Sequence, residues 1–279
     1  MTVLSLFDGI SCGRVALERA GIPVEKYYAS EVDKYAIKIS ASNYSDIVQL
    51  GDIIRWQKWN IPKPDLIIGG SPCQGFSFAG KGLNFEDPRS KLFFVYADIL
   101  KHYHPKYFLL ENVKMKAEHN DVISGILGEL YPECVNQREI FRQGRLEPVL
   151  INSALVSAQN RERLYWCNWK VEQPKDKHIM LKDIIINAET DKYKSYCLDA
   201  NYWQGVSYNY YIKKARRQLV KNSDIWRKLT PTECERLQTL PDNYTAGVSN
   251  TQRYRCIGNG WTVDVIAHVL HSIREVKKC

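Results

Sequence analysis

The run Leu66-Ile67-Ile68 is apolar at consecutive positions and is closed by Gly69-Gly70-Ser71-Pro72-Cys73-Gln74. A short segment that is apolar on both faces and bounded by turn residues fits a strand buried inside a parallel sheet. Pro72 fixes its own φ and biases Ser71 toward extended geometry. Cys73 is then held at the carboxyl edge of a sheet, where open α/β folds bind ligands. A single cysteine is more commonly a buried packing residue, so the rest of the chain must decide between the two.

The same grammar recurs along the chain. Val3-Leu4-Ser5-Leu6-Phe7 reads as a strand, Asp8-Gly9-Ile10-Ser11-Cys12-Gly13 as a tight turn, and Val15 to Ala20 as a helix ended by Gly21. Further strands are expected at 27–30, 47–50, 65–68 and 107–110, with helices through Ile39, from Leu92 to Tyr103, and over about 119–131. Strand–helix–strand order of this kind predicts a doubly wound, mostly parallel α/β sheet with right-handed crossovers. Near the C-terminal end, Thr230 as N-cap, Pro231 at N1 and Glu233 at N3 start a helix that runs to about Thr239, before Pro241. An amphipathic helix is expected from Thr262 to about Val276, and it must dock on a core, most simply that of the first sheet.

Chemistry-bearing residues fall at the strand ends. Gly9 and Gly13 let backbone approach a ligand closely. Glu31 lies 22 residues beyond Gly9, the spacing of a ribose-hydroxyl acceptor in nucleotide-binding α/β folds, and Asp52 is placed to accept from an adenine amino group. The turn is not GxGxxG, and Asp8 would repel a pyrophosphate. A nucleoside without phosphates fits better, such as S-adenosylmethionine, whose sulfonium tolerates carboxylates. Glu111 ends the strand at 107–110, which makes Cys73 and Glu111 a plausible nucleophile and acid. Between them, 75–91 is rich in Gly, Ser, Lys and Asp and reads as a functional loop. Arg161 and Arg163 are two apart, so extended geometry puts both on one face, suited to an anion or a carbonyl.

Lys and Arg total 39 against 31 Asp and Glu, a net charge of +8, which is compatible with a polyanionic partner. Residues 171–226 interleave that basic charge with aromatics, among them Lys192, Tyr193, Tyr202, Trp203, Tyr208, Tyr210, Arg216 and Arg217, a mixture suited to phosphate and base contact. The eight cysteines show no CxxC pair and no histidine at metal-ligand spacing, which argues against a disulfide framework or a zinc site. No apolar run approaches a membrane span. The first residues read as a strand rather than a signal peptide, so a cytoplasmic location is expected.

Taken in order, these motifs resemble the cytosine-5 DNA methyltransferases over nearly the whole chain. The residues that carry the resemblance are Phe7-Asp8-Gly9-Ile10, Glu31, Asp52-Ile53, Gly70-Ser71-Pro72-Cys73-Gln74, Glu111-Asn112-Val113 and Gln159-Asn160-Arg161-Glu162-Arg163, then Leu229-Thr230-Pro231 through Pro241-Asp242, and Gly258-Asn259 to Val263. Phe7 to Ile10, Ser30-Glu31-Val32 and Trp261 also look similar to the catalytic domains of animal de novo methyltransferases, whereas the compactness looks bacterial or phage-like. Ser11-Cys12, Cys256-Ile257 and Gly260-Trp261 depart from the family pattern, which bears on how the methionine end of a cofactor is held.

The resemblance implies a Rossmann-like methyltransferase sheet with a second, smaller target-recognition domain: 1–169 plus 258–279 for cofactor and catalysis, 170–257 for recognition. It implies that Cys73 adds to C6 of a cytosine flipped out of double-stranded DNA, that Glu111 contacts N3 and the exocyclic amine, that Arg163 binds O2, and that Arg161 supports the loop or the phosphate. The 75–91 loop would close over the base. S-adenosylmethionine, leaving as S-adenosylhomocysteine, would be held by Phe7, Asp8, Gly9, Ile10, Cys12, Glu31, Val32, Asp52, Ile53, Leu92, Asn259, Gly260 and Trp261, with no metal. A restriction endonuclease of the same specificity is the candidate genetic partner, in a bacterial or phage-infected cell. The competing readings are an RNA cytosine methyltransferase on the same scaffold, a catalytically dead DNA-binding relative, and a nicotinamide-dependent oxidoreductase. The intact Cys73, Glu111 and Arg163 oppose the second, and the missing GxGxxG opposes the third.

Overall fold

The apolar runs read as strands pair into one seven-stranded sheet. In the computed structural model, residues 1–71, 91–134, 144–214 and 216–275 are described. The strands are β1 (Thr2–Leu6), β2 (Lys26–Ser30), β3 (Ile47–Gln49), β4 (Leu66–Gly69), β5 (Tyr107–Val113), β6 (Val149–Asn152) and β7 (Glu162–Cys167), in the spatial order β3-β2-β1-β4-β5-β7-β6. β1 to β5 pair in parallel, and β7 is antiparallel to both β5 and β6. Helices α1 (Cys12–Arg19), α2 (Lys34–Asn43), α3 (Lys91–Tyr103) and α4 (Ala117–Leu130) follow β1, β2, β4 and β5, so the doubly wound, mostly parallel sheet stands.

Both faces of the sheet are buried, which is why its strands read as continuous apolar runs. Successive side chains alternate between two cores. Val3, Leu66, Ile68 and Leu109 enter the core that also holds Val15, Ala16, Val265, Ile266 and Val269, while Leu4, Leu6, Ile67, Phe108 and Leu110 enter the core beneath Phe93, Tyr96, Ile123 and Leu127. The expected terminal helix is α8 (Val263–Glu275), and its apolar side packs on α1 in the first core.

The segment after β7 is mostly irregular. It contains α5 (Tyr208–Lys214), the hairpin β8 (Leu219–Asn222) and β9 (Ile225–Lys228), then α6 (Pro231–Leu237) and α7 (Asn250–Asn259). A third, smaller cluster gathers Leu181, Ile184, Leu198, Tyr202, Val220, Leu229, Leu237 and Tyr254 on Ala158. The expected boundary between 257 and 258 falls inside α7. Ile257 belongs to the small cluster and Cys256 to the main core.

α6 starts as the sequence predicts: the Thr230 side chain accepts from Glu233 N, and Glu233 accepts from Thr230 N. It ends two residues earlier than expected. Thr239 takes a left-handed φ of 54°, and the bonds from Thr239 N to Arg236 O and from Leu240 N to Glu235 O close the helix in a Schellman arrangement before Pro241 is reached.

Candidate active site

The parallel strands β1 to β5 all present their carboxyl ends at one edge. β7 runs the other way, so its beginning reaches the same edge. This reversal brings the Gln159–Arg163 motif to Glu111. In the β5–β7 register Glu111 faces Tyr165 and Val113 faces Arg163, so Glu111 and Arg163 are a diagonal cross-strand pair on one face. Arg163 Nε lies 3.0 Å from Glu111 Oε1, and both side chains are nearly buried. Against the cost of burial, the charge of Glu111 raises the Arg163 pKa, so the guanidinium stays charged. The other carboxylate oxygen, Oε2, accepts from Trp261 Nε1 at 3.0 Å.

Gly70 makes room for this arrangement. A Cβ there would lie 2.9 Å from Glu111 Oε2 and 3.0 Å from Trp261 Nε1. Ser71 is tied to the same strand end, since Asn112 Nδ2 donates to both its carbonyl and its hydroxyl at 3.3 Å. The chain is thus anchored beside Glu111 two residues before Cys73. Cys73 itself, and the 75–91 loop apart from Lys91, lie outside the described residues.

Of the two roles expected for Arg161, support of a loop or of the phosphate, its surroundings fit support of the backbone. Arg161 is only 5% exposed. Its guanidinium donates to the carbonyls of Leu198 (2.9 Å), Gly260 (3.0 Å) and Gly258 (3.4 Å), and approaches Cys197 Sγ at 3.3 Å. Burial, then the neighbouring charge of Arg163, pulls its pKa below the ordinary guanidinium value. Arg161 therefore clamps the 197–198 segment to the 258–260 turn, and no face of it is open to DNA.

The cofactor-side residues divide in two. Glu31 accepts from Gly9 N through Oε2 (2.7 Å), and from Val32 N (2.7 Å) and Asp33 N (2.8 Å) through Oε1. A carboxylate offers about four acceptor sites, so one remains on Oε2 for a hydroxyl. Asp52 caps the 3₁₀ turn Ile53–Lys58 through Ile54 N. Val32 is 70% and Ile54 62% exposed, which places an apolar surface one residue after Glu31 and two residues after Asp52. Gly9 has φ +60°, and a Cβ there would meet nothing within 4 Å, so the strand end is open. Acceptors, apolar flanks and an open glycine fit an adenosine. Asn259 is exposed, and Phe7, Leu92, Gly260 and Trp261 are half-buried.

The side chains of Ile10, Cys12 and Ile53 are buried in the two cores, so at these three positions it is the backbone that can line the site. Burial pushes the Cys12 thiol up to about 12, which keeps it protonated. Gly13 also serves differently from the expectation. Its φ is ordinary, and what it prevents is a clash, since a Cβ would lie 2.4 Å from Ile68 Cδ1. Besides Gly9, the left-handed positions of the turn are Phe7 and Ser11, both at φ 58°, and no sequence signal marks these two.

Asp8 lies beneath the turn and accepts from Ser11 Oγ and Tyr27 Oη. Burial pushes its carboxyl from 3.8 up to about 6, although the Ser11, Ser5 and Tyr27 hydroxyls oppose the rise. Asp8 therefore holds its proton more tightly folded than unfolded. Its contribution to stability is complete below about pH 4 and is lost as pH rises through about 6. An Asp8→Asn variant cannot titrate there. Urea denaturation of both proteins should show wild-type stability falling relative to the variant by about 3 kcal/mol between pH 4 and 7. A difference that stays flat with pH would show that Asp8 titrates normally.

A cleft of about 520 Å³, lined by Val113, Lys114, Asn152, Asn160, Glu162 and Arg163, adjoins the ion pair. A separate cleft of about 1140 Å³ is lined by Trp169, Pro174, Lys177, Asp264 and His268 among others, and contains none of the site residues above. Among the described residues no group of three His, Cys, Asp or Glu is placed to hold a metal ion, and no helix is long and apolar enough to cross a membrane.

The profile of the C-5 cytosine-specific DNA methylase family matches residues 1–195 and 177–275. The type II methyltransferase M1.ScrFI of Lactococcus lactis subsp. cremoris is 30% identical over 317 residues, which cover 98% of this chain and 78% of the relative. The orphan methyltransferase M.Rho11sI of Bacillus phage rho11s is 40% identical over 169 residues, 59% of this chain and 32% of the relative. The solved structure of the Entamoeba histolytica methyltransferase EhMeth shares the fold, with a TM-score of 0.70 at 19% identity and coverage of 99% of this chain and 98% of that one. Sheet topology, the carboxylate–arginine pair at its edge and a match along almost the entire sequence agree: this chain belongs to the C-5 cytosine-specific DNA methylase family.

Proposed function

We propose that this DNA cytosine-5 methyltransferase works with Cys73 as nucleophile and with Glu111 and Arg163 on the base. The observation that carries the reading is the Glu111–Arg163 pair beside the anchored Ser71, because it sets an acceptor and a carbonyl-binding cation next to the segment that bears the thiol. C5 of cytosine is a poor nucleophile. Addition of the Cys73 thiolate to C6 makes C5 enamine-like. Glu111 bonds N3 and the exocyclic amine and favours N3 protonation as the adduct forms, while Arg163 holds the O2 carbonyl. When bound, S-adenosylmethionine supplies the sulfonium methyl that C5 takes. Loss of the C5 proton then expels Cys73 and restores the ring. Glu31, Asp52, Val32 and the Asn259–Trp261 turn would hold the cofactor. The base must leave the duplex to reach Cys73.

We assign 1–169 with 258–279 to cofactor and catalysis, and 170–257 to target recognition. The recognition reading is supported by the exposed Tyr193, Trp203, Tyr208 and Tyr210, by the stacking of Tyr208 on Trp226, and by the cleft at Tyr210, Arg216 and Arg217. Because its substrate is cellular DNA, we place the enzyme in the cytoplasm of a bacterial or phage-infected cell. The type II reading adds a restriction endonuclease blocked by the same methylated site.

The test combines tritiated S-adenosylmethionine with bisulfite sequencing of a plasmid incubated with the enzyme. The expected result is label on DNA and conversion-resistant cytosines in one short context. Label on transfer RNA and none on DNA would move the substrate to RNA. Label on neither, with cofactor bound, would mark a non-catalytic relative.

A further inference from the structure

Trp261 was expected as a wall of the cofactor turn, yet its one hydrogen-bond donor points elsewhere. An indole has a single N–H, and here it goes to Glu111 Oε2 at 3.0 Å while Arg163 takes Oε1. Each carboxylate oxygen therefore has one fixed donor. The contact crosses Gly70, which leaves no space for a side chain between the indole and the carboxylate. The far edge of the indole reaches the glycine turn: a Cβ at Gly13 would lie 3.5 Å from Trp261 Cζ3. The Trp261 backbone also bonds the Cys12 thiol. One rigid side chain thus spans from the turn after β1 to the carboxylate at the end of β5. The sequence has Gly260-Trp261 where the usual family pattern has Ser-Val, so a relative with that pattern has no indole donor at this position.

We propose that Trp261 is a positioning residue for Glu111: its N–H fixes the carboxylate plane, with Arg163, so that the remaining lone pairs meet the flipped base. The inference rests on the role of Glu111 proposed above. Trp261→Phe keeps an aromatic ring and removes the N–H. The expected result is a fall in kcat of about tenfold or more, with little change in the KM for S-adenosylmethionine. An unchanged kcat with a raised cofactor KM would overturn the proposal and leave Trp261 as a wall of the cofactor turn.

A measurement on the cofactor-free enzyme stands independently of folding defects in that variant. Of the seven tryptophans, one indole N–H resonance in a ¹⁵N spectrum should move on Glu111→Gln by far more than the rest. If none moves, the bond is not formed in solution and the proposal falls. Turnover of Glu111→Gln separates the two readings: wild-type turnover in that variant would defeat the role of Glu111 itself, whereas an inactive Glu111→Gln beside a normal Trp261→Phe would defeat only the positioning by Trp261.

Discussion

Cys73→Ser should stop methyl transfer to DNA and leave S-adenosylmethionine binding intact. The reaction needs a nucleophile that is ionised near neutral pH and that also departs readily from C6. A thiolate meets both needs, and a serine hydroxyl, which stays protonated without a strong adjacent base, meets neither. Nothing on the cofactor side changes with the substitution, because Glu31, Asp52, Val32 and Gly9 sit at the ends of β1 to β3. Ser71, tied to Asn112 on β5, fixes where the 72–73 segment begins in both proteins. Filter-bound tritium would read the transfer, and calorimetric titration would read cofactor binding. A DNA with fluorine at C5 of the target cytosine adds a direct check. The C5 fluorine cannot leave as a proton does, so wild-type enzyme should remain covalently attached through denaturing electrophoresis and Cys73→Ser should not. Near-normal turnover by Cys73→Ser would end the covalent mechanism for this chain.

The parts of the site that were legible in the sequence are those fixed by short-range rules. Consecutive apolar residues bounded by glycine can be buried on both faces only within a parallel sheet, and that sheet's carboxyl edge then follows for Gly9, Glu31, Asp52 and Glu111. The cap of α6 was legible for the same reason, since Thr230, Pro231 and Glu233 act within one turn. What was hidden depends on pairing across long separations. Arg163 meets Glu111 because β7 runs antiparallel beside β5, and no crossover rule predicts that reversal. Trp261 meets Glu111 across 150 residues. Two-residue spacing suggested that Arg161 and Arg163 share a task, but β7 begins at Glu162, and what lies over Arg161 comes from 198 and 258–260, segments whose placement no local pattern encodes. Burial, rather than sequence type, separates a clamp from a ligand-binding group.

That separation predicts opposite behaviour for the two arginines. Arg161→Ala removes the common partner of the carbonyls of Leu198, Gly258 and Gly260; Gly260 keeps Gln238 Nε2 as a donor at 3.0 Å, whereas Leu198 and Gly258 are left facing a cavity. Each buried acceptor without a donor costs about 1–3 kcal/mol, so with two carbonyls affected the variant should lose about 2–4 kcal/mol of stability in urea denaturation, a large part of what a domain has. The loss should fall on the junction between the main core and the small cluster around Leu198 and Tyr254, because Arg161 is what ties the two there. Neighbouring Gly258 cannot relieve it, since a Cβ at that position would already lie 2.3 Å from Asp199 O. Arg161→Lys keeps one cation and part of the donor set and should recover a fraction of the stability. Arg163→Ala acts at the edge, where Glu111 retains Trp261 as a donor, so its denaturation midpoint should move less while turnover falls by about 100-fold or more. If instead Arg161→Ala unfolds at the wild-type midpoint and loses only turnover, the guanidinium reaches the DNA after all, and the clamp is not what holds this junction closed.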